Sequence, residues 1–167
     1  MSIEFLKVRD VKDPVRNPDE NAGIDFFIPN LSAKEVDEEG TMIIDFSESV
    51  NGRIVIPPHG DTIIPSGIKS KFPKNLALIA NNKSGIATKK KLIVGATVID
   101  CSYQGEWHFH LINTSDKPQY LDFGQKVVQF VPFVIDTDAF TVSTGSEEEF
   151  FTEHTDRGSG WAGSTGV

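Results

Sequence analysis

Hydrophobic residues fall into short runs broken by polar, glycine or proline corners, and no stretch of the chain sustains a helical period. Ile3–Val8 reads as a first strand. Asp10–Asn21 holds Pro14, Pro18 and several charges, and reads as loop. Ala22–Ile28 is a short strand stopped by Pro29. Asn30–Gly40 is polar and acidic and fits either one helical turn or a loop. Met42–Phe46 and Arg53–Ile56 are expected to be strands joined across Ser47–Gly52, with Asn51-Gly52 as a hairpin-turn signal. Pro65, within Thr62–Ile68, argues against a central strand there. Leu76–Ala80 reads as a strand and Asn81–Gly85 as a turn. Lys91–Ile99 and Glu106–Ile112 read as strand-like runs on either side of a polar corner, and Lys126–Phe133 as a long last strand. Short strands rich in Ile, Val and Phe at this spacing predict an all-β fold: a single-domain, jelly-roll-like β-sandwich.

The last stretch breaks the pattern. Thr141–Val167 is rich in Ser, Thr, Gly and Glu, and it ends in Arg157-Gly-Ser-Gly-Trp161-Ala-Gly-Ser-Thr-Gly166. Glycines and one tryptophan build no core, so this arm is either flexible or ordered by a ligand or partner. The expected division is a β domain over 1–140 and an arm over 141–167. The net charge of -8 argues against non-specific nucleic-acid binding, which needs basic residues to neutralise phosphates. It leaves room for a small anion at a local basic cluster. Cys101 is the only cysteine, so neither an intrachain disulfide nor a thiolate metal cluster is available. MSIEFLKVRD has no long apolar segment of the signal-peptide kind, and no run approaches the roughly 20 apolar residues of a membrane span. A soluble, cytoplasmic protein is expected, in the host cytoplasm if the source is viral.

Candidate chemistry gathers at three places. Asp100 ends an apolar strand. It is either a turn residue accepting backbone N–H bonds or a general base holding a water. Tyr103, before Gly105, is either a packed aromatic or a surface for a planar ligand. Lys83-Ser84-Gly85 can present a cation, a hydroxyl and amides to a phosphate, but it lacks the spaced glycines of a P-loop. In the arm, Arg157 offers a bidentate fork, Ser164 and Thr165 offer hydroxyls, and Trp161 offers a stacking plane. A flap closing over a nucleotide and a plain flexible tail both fit that composition. His108 and His110 share a strand face with no evident third metal ligand, which favours packing or interface roles.

Five segments in order resemble the motifs of the trimeric dUTP pyrophosphatase (dUTPase) family. They are Ala22-Gly23-Ile24-Asp25-Phe26; Lys83-Ser84-Gly85-Ile86-Ala87; Gly95–Gly105 with Ile99-Asp100 and Tyr103; Gly124-Gln125-Lys126-Val127-Val128-Gln129; and Arg157–Gly166. The resemblance implies a jelly-roll homotrimer whose active sites are shared between subunits, with the arm closing over the nucleotide. It implies hydrolysis of dUTP to dUMP and pyrophosphate by water attack on the α-phosphorus, which limits the dUTP pool and supplies dUMP for thymidylate synthesis. By the same resemblance, Asp100 activates the water, the hairpin of the third motif reads the uracil edge, and Tyr103 packs on deoxyribose and excludes a 2′-hydroxyl. Ser84, Gly85 and Gln129 contact phosphates. Lys83 stands where the family has arginine. Arg157, Ser164 and Thr165 hold the outer phosphates, Trp161 stacks over uracil, and Asp25 supports the site. Mg²⁺ travels on the triphosphate rather than on a protein ligand set.

Several features depart from the family or compete with it. Asn82-Lys83 replaces Pro-Arg, and Lys126 replaces a more usual arginine; each keeps charge but loses a planar fork. The 30–60 region is longer than a compact member needs. It either serves a protein partner or decorates the surface. A deoxycytidine triphosphate deaminase would share the fold but needs a catalytic Glu in the strand after the corner. The matching position is His110, and Glu106 lies too close to the turn. A non-catalytic binder on the same fold would be favoured by loss of Asp100, Tyr103 or the glycine-rich arm, and all are present.

Overall fold

The computed structural model describes residues 1–17, 19–31, 34–36, 42–45, 53–136, 138–139 and 141–146. The chain divides into Met1–Asp136 and Thr137–Val167. The described part of the second unit carries no regular element. In the first unit, β1 (Glu4–Lys7) and β2 (Ile24–Phe27) are followed by β3 (Lys34–Val36), β4 (Met42–Asp45), β5 (Arg53–Ile56), β6 (Asp61–Pro65), β7 (Ile68–Lys71) and β8 (Leu76–Asn82). A short helix, α1 (Ser84–Lys90), leads to β9 (Leu92–Val94), β10 (Val98–Ile99), β11 (His108–Asn113), β12 (Gln119–Asp122) and β13 (Lys126–Val134).

The described strands pair antiparallel. One sheet runs β10-β8-β13-β2 and another β6-β11-β9, flanked by the pairs β12-β5, β1-β7 and β3-β4. This is the all-β, sandwich-like jelly roll that the strand spacing predicts. The strand period sets the core. On β11, Phe109, Leu111 and Asn113 turn inward, and the residues between them turn out. Aromatic rings then lock one sheet to the other. Phe26 on β2 and Phe130 on β13 sit 5.1 Å apart, and Trp107, just before β11, lies 4.9 Å from Phe130 and 5.2 Å from Phe26. Each such fully buried side chain contributes about 1.5–3 kcal/mol relative to leaving it in water. Pro65 sits at the end of an edge strand, where its missing N–H breaks no ladder.

Five expectations need correction. Met42–Asp45 and Arg53–Ile56 are not partners in a hairpin: β4 pairs with β3 and β5 with β12. The proposed turn at Asn51-Gly52 lies outside the described residues. Lys34–Val36 is a strand rather than a helical turn or loop. Ile54 and Ile56 are fully buried, so β5 is core and not surface decoration. Asn81–Gly85 is not the expected turn: β8 runs through Asn82, and Ser84–Lys90 is a helix. It is too short to show a period, but its end is legible in hindsight. Lys91 adopts the left-handed conformation with its N–H on the Ile86 carbonyl, and Lys89 and Lys90 place positive charge at the negative end of the dipole.

The fifth correction concerns the run before the corner. Lys91–Ile99 is two strands in two sheets. Val94 pairs with Leu111 of β11, and the Gly95 N–H still bonds the His110 carbonyl at 2.9 Å. Val98 and Ile99 have by then crossed to pair with Ile79 and Leu78 of β8. The segments flanking the corner are therefore not one continuous hairpin. No helix among the described residues is long and apolar enough to cross a membrane.

Candidate active site

Lys83 is the single residue between β8 and α1, and it is the N-cap residue of the helix. A lysine cannot cap a helix with its side chain, and this one goes elsewhere: its ammonium bonds Asp25 Oδ1 at 2.5 Å. Lys126, at the start of β13, takes the other oxygen, Oδ2, at 3.0 Å. Asp25 is buried on β2, directly opposite Gln129 of β13. Burial pushes its carboxyl up, but the hydrogen bonds and charges of the two lysines outweigh burial and hold it below the usual carboxylate range. Two cations share one anion, so the cluster keeps a positive excess at its surface.

That excess faces a cavity of about 400 Å³ lined by Asn21, Lys83, Ser84, Gly85, Ile86, Lys126 and Gln129. Ser84 and Gly85 are exposed at the start of α1. Their amides have no carbonyl in a preceding helical turn to bond, so they are open to a ligand. Gln129 donates through Nε2 to the Asn82 carbonyl at 3.4 Å, which holds it beside Lys83. The lining is that of an anion site: cations, a hydroxyl, an amide side chain and backbone N–H groups. Among the described residues no group of three His, Cys, Asp or Glu is arranged to hold a metal ion.

Asp100 and Tyr103 lie elsewhere, on the corner between β10 and β11. Both are exposed, and a tight turn links them, with the Tyr103 N–H on the Asp100 carbonyl at 3.1 Å. The Tyr103 hydroxyl donates to the Glu106 carbonyl at 2.9 Å. Cys101 is partly buried and packs against the core, as a small filler would. The strand register measures the gap between corner and pocket. Ile99 pairs with Leu78 on β8, and Lys83 lies five positions further along the chain from Leu78. At the strand rise of about 3.3 Å per residue, corner and pocket are some 17 Å or more apart, at opposite ends of β8.

Thus Lys83, Ser84, Gly85 and Gln129 come together, with Asp25 beneath them, while Asp100 and Tyr103 stand apart within the chain. Arg157, Trp161, Ser164 and Thr165 lie outside the described residues. The residue that sequence reasoning undervalued is Lys126. It entered only as a departure from the fourth motif. Its link to Asp25 depends on a strand register, Lys126 opposite Phe27 with a bulge before Val128, that no local pattern reveals. His110 is bonded to Asp61 at 2.8 Å across β11 and β6, which fits the packing role.

The dUTPase family model matches residues 46–166. A deoxyuridine 5'-triphosphate nucleotidohydrolase from Kluyveromyces lactis is 37% identical over 112 residues, covering 67% of this chain and 72% of its own length. One from Arabidopsis thaliana is 30% identical over 129 residues, covering 74% of this chain and 69% of its own. Among solved structures, the dUTPase of Staphylococcus bacteriophage 80alpha with dUPNHPP has a TM-score of 0.70 at 18% identity, covering 99% of both chains, and so shares the fold. An all-β sandwich with this pocket and these relatives defines the class: the chain belongs to the dUTPase family. It is a hydrolase of nucleotide metabolism, and its reaction is the conversion of dUTP and water to dUMP and pyrophosphate.

Proposed function

We propose that the working site is assembled from more than one copy of this chain, in a homotrimer, with the Asp100 corner of one subunit facing the Lys83 pocket of another. The observation that carries this reading is the separation along β8. A single dUTP cannot have its α-phosphorus at Asp100 and its outer phosphates at Lys83, Ser84 and Gly85 when the two are some 17 Å apart in one chain. Two copies remove the conflict.

In the assembled site, the Asp100 carboxylate accepts a hydrogen bond from a water and orients it on the α-phosphorus. The new bond forms from that water's oxygen. The bond from the α-phosphorus to the bridging oxygen breaks, pyrophosphate leaves with the electron pair, and the water's proton passes to Asp100. Lys83 and Lys126, the Ser84 hydroxyl, the Gly85 amide and the Gln129 side chain bind and neutralise the phosphate oxygens. The backbone of the corner reads the uracil edge, and Tyr103 covers the deoxyribose where a 2′-hydroxyl would project. The arm over 141–167 closes the site, with Arg157, Ser164 and Thr165 on the outer phosphates and Trp161 over the base. Mg²⁺ arrives on the substrate phosphates and supplies further charge neutralisation when bound.

Incubating the purified chain with Mg²⁺ and dUTP, dATP, dCTP, dGTP or dTTP, and measuring monophosphate and pyrophosphate, tests the substrate. Stoichiometric dUMP and pyrophosphate from dUTP alone is the expected result. A folded protein that releases neither contradicts the proposal.

A further inference from the structure

Glu106 is a carboxylate buried directly after the corner, and the reaction outlined above does not use it. Its Oε1 accepts two hydrogen bonds, from Arg9 Nε at 2.7 Å and from the Gly67 N–H at 2.7 Å. Burying a charge costs several kcal/mol unless partners compensate, so this carboxylate has been given a cation and an amide. The amide is aimed by an unusual backbone. Gly67 has φ +74, and a Cβ there would stand 2.9 Å from Val11 Cγ1 and 3.1 Å from Arg9 Cβ. The neighbouring main chain continues the strap: Trp107 N–H bonds the Ile68 carbonyl at 2.9 Å, Ser66 N–H bonds the Trp107 carbonyl at 2.9 Å, and Val8 N–H bonds the Gly67 carbonyl at 2.8 Å.

The same residue holds the corner through its other end. The Glu106 carbonyl accepts the Tyr103 hydroxyl. The ring lies so close over Gly105 that a Cβ there would be 2.6 Å from the hydroxyl oxygen. A continuous chain of contacts therefore runs from Arg9, through the Glu106 carboxylate, to the Glu106 carbonyl and the Tyr103 ring.

We propose that Arg9 and Glu106 are positioning residues for sugar selection: they fix the Tyr103 ring, and so set how well the enzyme rejects a ribonucleotide. This rests on the reading of Tyr103 as the residue that covers deoxyribose. A purely architectural ion pair would stabilise the fold without touching selectivity, so selectivity is the readout.

Steady-state kcat and KM for dUTP and for UTP are measured on the full chain carrying Arg9→Met, Arg9→Lys, Glu106→Gln, Tyr103→Phe, Tyr103→Ala, or Arg9→Met with Tyr103→Phe. Arg9→Met is expected to lower the dUTP-over-UTP ratio of kcat/KM about tenfold, within the range that small misplacements of a positioning group cost. Arg9→Lys, which keeps the charge, should recover part of the loss. Tyr103→Phe removes the tether, and on that background Arg9→Met should add less than about twofold, because coupled contacts are not additive. If Tyr103→Ala destroys selectivity while Arg9→Met and Glu106→Gln both leave the ratio unchanged, the positioning role is overturned and the sugar-gate reading survives. If Tyr103→Ala leaves selectivity intact, the gate itself fails and the proposal with it. Should Arg9→Met not fold, Glu106→Gln decides, since it keeps the shape and the acceptor oxygen while removing the charge.

Discussion

Around Lys83, side chains hold one another: two lysines on one buried carboxylate, with a glutamine tied to the neighbouring backbone. Around Asp100, the backbone does the holding, through one turn and one tyrosine hydroxyl, and the carboxylate itself stands exposed. The first region is an electrostatic cradle whose geometry is fixed before any ligand arrives. The second is a chemical group on a short corner, useful only when something is brought to it. The contrast fits the proposed division of labour, in which the pocket binds phosphates and the corner performs the attack, since the two stand at opposite ends of β8.

The largest effect expected from breaking the comparison is at the corner. Asp100→Asn should lower kcat by about 10²–10⁴, the usual worth of a positioned general base, while binding of a non-hydrolysable dUTP analogue measured by calorimetry stays within a few-fold. Equal loss of both would make Asp100 architectural.

Next comes the pocket, where binding rather than turnover should suffer. Gly85 has nothing within 4 Å of where a Cβ would project, and it sits inside α1, where alanine is the better helix former. Gly85→Ala should therefore leave thermal stability unchanged or slightly higher. It should raise KM for dUTP about tenfold, as the loss of one charge-assisted hydrogen bond would. An unchanged KM would mean that the phosphates do not approach this backbone.

Asp25→Asn sharpens the electrostatic side. The lysines lose their shared anion but remain partly exposed, so the cost in urea unfolding at neutral pH is expected to be about 1–3 kcal/mol. The pH dependence follows from the sign of the shift. Because the folded-state carboxyl is held below its usual value, its contribution is fully present above the ordinary Asp value of about 3.9 and is lost as the pH falls through the lower folded value. The stability gap between the parent chain and Asp25→Asn should narrow over that acid range. A gap that stays constant would deny the ion cluster its role.

How much of this could be read in the sequence depends on distance along the chain. The strand content, the edge position of Pro65 and the grouping of Lys83, Ser84 and Gly85 are local, and period and turn chemistry report them. The helix at Ser84–Lys90 escaped because a seven-residue element has barely two turns in which to show a period. The Lys126–Asp25–Lys83 cluster escaped because it joins two strands, β13 and β2, and the residue after β8, brought together by a register that is set by packing in the core. Likewise Glu106 looked unremarkable beside the corner, because its partner Arg9 is 97 positions away. Motif resemblance supplied Asp100 and Tyr103, but not that they stand at the far end of β8 from the Lys83 pocket.

Mixing inactive chains tests that separation most directly. One variant carries Asp100→Asn, and the other carries Lys83→Ala with Ser84→Ala. Each alone should be nearly inert. Unfolded together in equal amounts and refolded, they should regain activity corresponding to about one quarter of the sites, since in a closed trimer each shared site draws its corner and its pocket independently from two chains. If every site lies within one chain, each chain still carries one lesion and no activity returns; that result would contradict the shared site.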